Sequence, residues 1–223
     1  MNVKYGLTVN VNNNRSVLTA VKSIAVMHPD IKILVVNYTD GFTCANIKQK
    51  NVTCWNVVGN RGHAWGIVQG MCKLSELGDA GDVLVFDNDI KFVHEGFLDK
   101  CEDVVGDREF YGVGDLYHDK GSQTALGEHA GDLMYLHPYC CILNSKNFFN
   151  YRLPTDHGAP FIASMYDIYK KGKTDLLFDV NPKGWVEHAW NASKGKYSER
   201  SYAVRLSAFK KMGGNKFWTE ETL

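Results

Sequence analysis

Val83-Leu84-Val85-Phe86-Asp87-Asn88-Asp89 sets four consecutive apolar residues directly before two carboxylates that stand one residue apart. A short apolar run without alternation is the pattern of a strand whose sheet is covered by helices on both faces. Acids at the carboxyl end of such a strand fall on the crevice side, where open α/β sheets bind their ligands. As the strand bends into a loop, both acids can turn toward that crevice. Hard carboxylate oxygens suit Mg²⁺ or Mn²⁺, which take octahedral oxygen sites shared with a ligand's phosphates. The tripeptide alone is common, and a strand-terminal turn with solvated acids is the plain alternative.

Upstream, short apolar runs alternate with amphipathic stretches. Tyr5 to Val11 reads as a strand and Asn12-Asn13-Asn14 as the loop after it. Val17, Ala20, Val21 and Ile24 then recur at i, i+3, i+4 and i+7, the period of a helix with one buried face. Ser16 is placed to cap that helix, and His28-Pro29-Asp30 breaks it. Ile31 to Val36 is a β-branched strand, followed by the turn Asn37-Tyr38-Thr39-Asp40-Gly41. Val52 to Val58 is a third strand, ending at Gly59-Asn60-Arg61-Gly62. Ala64, Ile67, Val68 and Met71 mark a second helix, stopped by Gly78 to Gly81. This order predicts an α/β fold with a mostly parallel, Rossmann-like central sheet flanked by helices. The Gly-x-Gly-x-x-Gly fingerprint and the phosphate-loop Gly-x-x-x-x-Gly-Lys-Ser/Thr are both absent, which argues against dinucleotide and P-loop functions.

Downstream the pattern is less regular. Phe110 to Val113 and Tyr135 to Leu143 read as strands of a smaller, mixed or antiparallel acceptor-side portion. Between them, His118 to Asp132 reads as a long polar loop, a kind of segment that is often functional. Pro154 to Pro160 leads into a helix carrying Ile162, Met165, Tyr166 and Tyr169 on one face, and a last helix is expected near 199–211. No repeat or linker interrupts the 223 residues, so one domain over 1–223 is expected, with a nucleotide-binding half over 1–100 and an acceptor-side half over 101–223.

Composition narrows the partners. Lys plus Arg number 25, as do Asp plus Glu, so no general attraction to nucleic acid or an anionic membrane is expected. No apolar run approaches the roughly 20 residues of a membrane span. The N-terminus leads straight into a strand-like segment, without a signal peptide's apolar stretch. An intracellular, cytoplasmic setting follows, with the six cysteines reduced and mostly in the core.

Taken in order, Val9-Asn10-Val11-Asn12-Asn13-Asn14, Val35-Val36-Asn37-Tyr38-Thr39-Asp40, Asn60-Arg61-Gly62 and Asp87-Asn88-Asp89 resemble the nucleotide-sugar glycosyltransferases of GT-A fold, in particular the family-2 pattern. The likeness covers about the first 100 residues well and the rest loosely. Within that group the chain looks most like the small glycosyltransferase modules encoded by large algal viruses. The resemblance implies a hexosyltransferase-type enzyme using a nucleotide-diphosphate sugar, UDP favoured, and Mn²⁺ or Mg²⁺, with a glycan as acceptor. It places Val11, Asn13 and Arg15 at the nucleotide, Asp40 near the base or ribose, and Arg61 at the phosphates or hydroxyls. Asp87 faces ribose or metal, with Asn88 beside the donor, and Asp89 is the more direct metal ligand. One departure is that the acid usual straight after the second strand is Asn37 here.

Folds of this kind commonly recruit a further metal ligand from the C-terminal half, and His188 in Gly184-Trp185-Val186-Glu187-His188-Ala189-Trp190 is the candidate. Packing between Trp185 and Trp190 is its structural alternative. Lys194 follows in a loop able to close over a diphosphate. His63 and His157 are more readily structural or acceptor-facing. An inverting enzyme needs a carboxylate to take the acceptor's proton. Asp156, ahead of a helix whose N-terminus favours the ionised form, is the candidate base. Glu128, Asp132 and Glu187 are alternatives, and a retaining route stays open. Trp65, Tyr117, Tyr135, Tyr139, Trp185 and Trp190 could offer an acceptor sugar a stacking surface. The rival functions are a sugar nucleotidyltransferase and a non-catalytic nucleotide-sugar-binding module. Lack of the nucleotidyltransferases' glycine- and arginine-rich N-terminal loop counts against the first.

Overall fold

The computed structural model describes residues 1–11, 14–39, 42, 47, 49–59, 62–78, 81–118, 133–154 and 160–188, with 14, 15, 117 and 118 described through their backbone only. Two compact units divide the chain. One comprises Met1–Tyr117 and Met134–Trp190, and the other His118–Leu133 and Asn191–Leu223.

The sheet of the first unit begins with β1 (Val3–Asn10), β2 (Lys32–Asn37), β3 (Val52–Asn56) and β4 (Asp82–Phe86), linked in part by α1 (Asn14–Met27) and α2 (His63–Ser75). β3-β2-β1-β4 run parallel in that spatial order. On the far side of β4 comes β7 (Met134–Asn144), antiparallel to it, then β6 (Gly112–His118) and β8 (Leu177–Asp179). β6 and β8 pair in parallel. The sheet is thus mostly parallel with one antiparallel strand set into it, in an α/β chain as its sequence leads one to expect. Two short strands, β5 (Ile90–Phe92) and β9 (Val186–His188), form a separate antiparallel ribbon.

Both faces of the central strands are covered, which explains the unbroken burial of β4. Ile33, Val35, Leu84 and Phe86 pack with Val17, Val21 and Ile24 of α1 and with Phe97, Cys101 and Val105 of α3 (Phe97–Val105). On the opposite face α2 lies close against β1, because its contact stripe carries glycine. A Cβ on Gly66 would stand 2.4 Å from Val9 Cγ1, and one on Gly70 would stand 2.3 Å from Leu7 Cδ1. Only side chains reduced to hydrogen let the helix approach that far. The same stripe, one turn earlier, carries His63 to the carboxyl edge of the sheet. Two smaller helices, α4 (Ser145–Phe148) and α5 (Ile162–Lys170), follow β7.

Several boundaries move. Helix α1 starts at Asn14, so Ser16 sits inside its first turn instead of capping it. β3 stops at Asn56 and leaves Val58 fully exposed. The strand expected over Phe110 to Val113 instead begins at Gly112 and runs on to His118. α3 and the β5–β9 ribbon were not anticipated, and the last expected helix lies outside the described residues.

The cysteines also need one correction. Cys54 is disulfide-bonded, its partner lying outside the described residues. Cys72, Cys101, Cys140 and Cys141 are free. Burial pushes the Cys101 thiol up to about 12 and raises those of Cys140 and Cys141. Thiols so held are inert as nucleophiles near neutral pH. Among the described residues no helix is long and apolar enough to cross a membrane.

His28, just past α1, packs edge-on against Phe92 at 6.3 Å. Burial lowers its pKa, partly offset by Glu95 and Asp99. The folded state therefore takes up a proton less readily than the unfolded chain. The stability tied to neutral His28 is present above about pH 6.5 and is lost as the pH falls below it. His28→Leu should lose less stability than wild type between pH 7 and pH 5 in urea titrations. Equal losses would show that His28 is not the source.

Candidate metal centre

Two separate pieces of backbone pairing assemble the centre. β4 ends at Phe86, yet the antiparallel ladder with β7 continues for one more bond, from Asp87 N–H to the Tyr139 carbonyl at 2.9 Å. This holds Asp87 at the carboxyl edge while Asn88 and Asp89 turn. The chain then enters β5, whose Ile90 pairs with His188 of β9. That register sets His188 beside Asp89, although 99 residues separate them.

In the result, one ligand atom from each of Asp87, Asp89 and His188 lies within 4.8 Å of the others. His188 Nε2 is 3.1 Å from Asp89 Oδ1 and 4.0 Å from Asp87 Oδ2. The three side chains are only 10%, 11% and 22% exposed for His188, Asp89 and Asp87. Ligand atoms about 2.1 Å from an octahedral ion stand roughly 3 Å apart when adjacent and roughly 4.2 Å when opposite. The two spacings from His188 fall in that range, and two carboxylates with one imidazole suit Mn²⁺ or Mg²⁺ chemically. His63, at the start of α2, reaches Asp87 from the other side, its Nε2 3.3 Å from Oδ1. It thus belongs with the centre, a contact that a lone histidine in a helix start could not announce.

Trp190 lies outside the described residues, and the ring that stacks on His188 is Tyr139, not a tryptophan, with centroids 5.0 Å apart and planes 1° from parallel. Trp185 lies against Phe97 of the core instead, at 6.2 Å. Tyr135 and Tyr139 are 3% and 4% exposed, too covered to serve as a stacking platform for a sugar.

A cavity of about 560 Å³ opens beside Asp89 and His188. Ser16 and Thr19 of α1 and Lys91 of β5 line it, with Glu187 also on its wall. The start of α1 at Asn14 puts Ser16 in the first turn, where it faces the cavity. Ser16, Thr19 and Lys91 gave no sequence pattern of their own, since only the ribbon brings Lys91 to this wall.

Asn37 has a structural reason for its amide. Asn10, Asn37 and Asn56 are aligned across β1, β2 and β3. The Asn10 side-chain amide donates to Asn37 Oδ1 at 2.8 Å, and Asn37 Nδ2 donates to Asn56 Oδ1 at 2.9 Å. Thr39 N–H also donates to Asn37 Oδ1, and Asn37 Nδ2 donates to the Thr39 carbonyl. Both amide hydrogens and both lone pairs are thereby used. A carboxylate at 37 could not donate, so the ladder needs asparagine there, and Asn37 has no capacity left for a ligand.

Of the other sequence candidates, Val11 follows the end of β1 and is half-buried, and Asn88 sits in the turn between the two acids. Arg15 lies in the first turn of α1, described through its backbone. Asn13, Asp40, Arg61, Asp156, His157 and Lys194 lie outside the described residues, as do Glu128 and Asp132.

No protein-family model matches the chain, and no curated protein matches it by sequence. Solved structures do. Glucosyl-3-phosphoglycerate synthase from Mycobacterium tuberculosis, in complex with Mn²⁺ and uridine-diphosphate-glucose, matches at a TM-score of 0.62 and 12% identity over 95% of this chain and 78% of its own. The mannosyltransferase PcManGT from Pyrobaculum calidifontis, in complex with GDP-Man and Mn²⁺, matches at 0.61 and 13% over 97% and 65%. At such identities the likeness shows the fold alone, and that fold is the GT-A arrangement, a mostly parallel sheet flanked by helices. Neither structure supports the narrower likeness to modules of algal viruses.

Proposed function

We propose that this chain is a metal-dependent glycosyltransferase of the hexosyl type, moving a sugar from a nucleotide-diphosphate donor to a glycan hydroxyl. The observation that carries the reading is the Asp87–Asp89–His188 cluster at the carboxyl edge of the sheet. The shared fold supports it, since the structural neighbours named above were solved with Mn²⁺ and UDP-glucose or GDP-mannose. A UDP-sugar is the favoured donor and Mn²⁺ or Mg²⁺ the cation.

In this reading Asp87, Asp89 and His188 would hold the cation against the donor's diphosphate. When bound, the ion neutralises charge that builds on the departing diphosphate. Ser16 and Thr19 hydroxyls and the Lys91 ammonium, on the cavity wall beside Asp89, are suited to donate to phosphate oxygens. Val11, Asn13, Arg15, Asp40, Arg61, Asn88 and Lys194 are assigned to the nucleotide and its diphosphate. Asp156 takes the proton of the attacking hydroxyl in an inverting displacement.

The test is to incubate the protein with UDP-glucose and Mn²⁺ and identify the nucleotide product. Release of UDP supports a transferase. Release of pyrophosphate in the presence of UTP and a sugar phosphate would mark a nucleotidyltransferase, and binding without turnover a binding module. For the base, Asp156→Asn should keep donor affinity while transfer falls by about 10²–10⁴-fold. Unchanged turnover would remove Asp156 from that role.

A further inference from the structure

Tyr139 touches both arms of the metal centre. Its carbonyl accepts from Asp87 N–H at 2.9 Å, and its ring lies flat on the His188 imidazole. The phenol hydroxyl donates to Asp115 Oδ2 on β6 at 3.3 Å. The backbone N–H of Tyr139 donates to His137 Nδ1, also at 3.3 Å. The ring is therefore held at its tip by β6 and at its root by β7. Burial raises the pKa of the phenol, so it stays protonated and able to donate. His137 is lowered to about 4, chiefly by burial, and adds no positive charge beside His188 near neutral pH.

The imidazole of His188 can turn about its Cβ–Cγ bond, and only a narrow range of that rotation points Nε2 at Asp89. A parallel ring stacked with its centroid 5.0 Å away restrains that rotation, since turning the imidazole means breaking the stack. Partners that orient a metal-binding histidine commonly act through a hydrogen bond to its second nitrogen. The aromatic face of Tyr139 acts on the ring directly. We infer that Tyr139, tethered by Asp115, is a positioning residue that aims His188 Nε2 into the metal centre. The inference rests on the metal reading proposed above, yet it makes a claim about His188 that holds without metal.

Two measurements on donor-free protein separate the two claims. The first is Mn²⁺ affinity, from the electron paramagnetic resonance signal of the unbound ion. The second is the order of the His188 ring in EDTA, from nitrogen-15 relaxation. Tyr139→Leu should weaken Mn²⁺ binding about tenfold or more and loosen the His188 ring. Tyr139→Phe, which keeps the stack and loses the Asp115 tether, should fall between, with Mn²⁺ binding about threefold weaker than wild type and the His188 ring partly loosened. A Tyr139→Leu protein with wild-type ring order and Mn²⁺ affinity overturns the proposal. Should that variant fail to fold, Tyr139→Phe decides, and a ring as ordered as in wild type with unaltered affinity overturns it. If wild type binds no Mn²⁺ while Tyr139→Leu still loosens His188, the positioning claim stands and the metal reading falls.

Discussion

Asp89→Ala is expected to abolish metal-dependent nucleotide binding and to leave the fold standing. Asp89 supplies one of three ligand atoms, and its Oδ1 lies 3.1 Å from His188 Nε2. Even residues that only support a ligand cost 10–100-fold in metal affinity when replaced, so loss of a ligand should cost about 100-fold or more. The fold should tolerate the change because Asp89 sits in the turn between β4 and β5, outside the sheet ladder. Without a cation, removing one of two neighbouring carboxylates relieves repulsion and offsets the lost contact to His188, so stability in EDTA should change by no more than about 1 kcal/mol. Calorimetric titration of Mn²⁺ with UDP, beside a melt in EDTA, checks both halves. A folded Asp89→Ala protein with normal manganese-dependent affinity would end the metal assignment.

Phe86→Ala should be the most destabilising single truncation near the site. Phe86 is wholly buried in β4, and its Cε1 lies where a Cβ on Gly6 would approach to 3.2 Å. The ring fills the space that Gly6 leaves open, so its loss creates a void that neighbouring backbone cannot close. Truncations of this kind cost about 3–5 kcal/mol, against a total stability of about 5–15 kcal/mol. Because Asp87 follows directly, a loosened β4 terminus should weaken metal binding as well. Urea unfolding should show a lowered midpoint with an unchanged slope. A loss under about 1 kcal/mol would mean that Phe86 is not the packing anchor described here.

The sequence made some of this legible and hid the rest for physical reasons. β1, β2, β4, α1 and α2 are long enough to display apolar runs or a helical period, and their order alone implied a mostly parallel sheet. α3 was visible in principle, since Phe97, Cys101 and Val105 recur every four residues between Gly96 and Gly106. The β5–β9 ribbon was not visible, because three residues per strand show no alternation. That ribbon is what carries His188 to Asp89. The carboxylate pair could thus be read from its strand, whereas the third ligand rested on a resemblance. The pairing of His63 with Asp87 and the Tyr139 stack also depend on contacts distant in sequence. Asn37 looked like a missing acid and is instead the centre of a saturated amide ladder.

A cation-dependent nucleotide site built on Asp87, Asp89 and His188 would show itself in a thermal-shift panel. Wild-type protein would be melted with UDP, GDP, CMP and UDP-glucose, each with Mn²⁺ and with EDTA. At about 100 times its dissociation constant a ligand adds about 2.7 kcal/mol of stability. Tm should rise clearly with one nucleotide in Mn²⁺ and stay unchanged in EDTA. A Tm unmoved by every combination, or moved equally in EDTA, would contradict such a site.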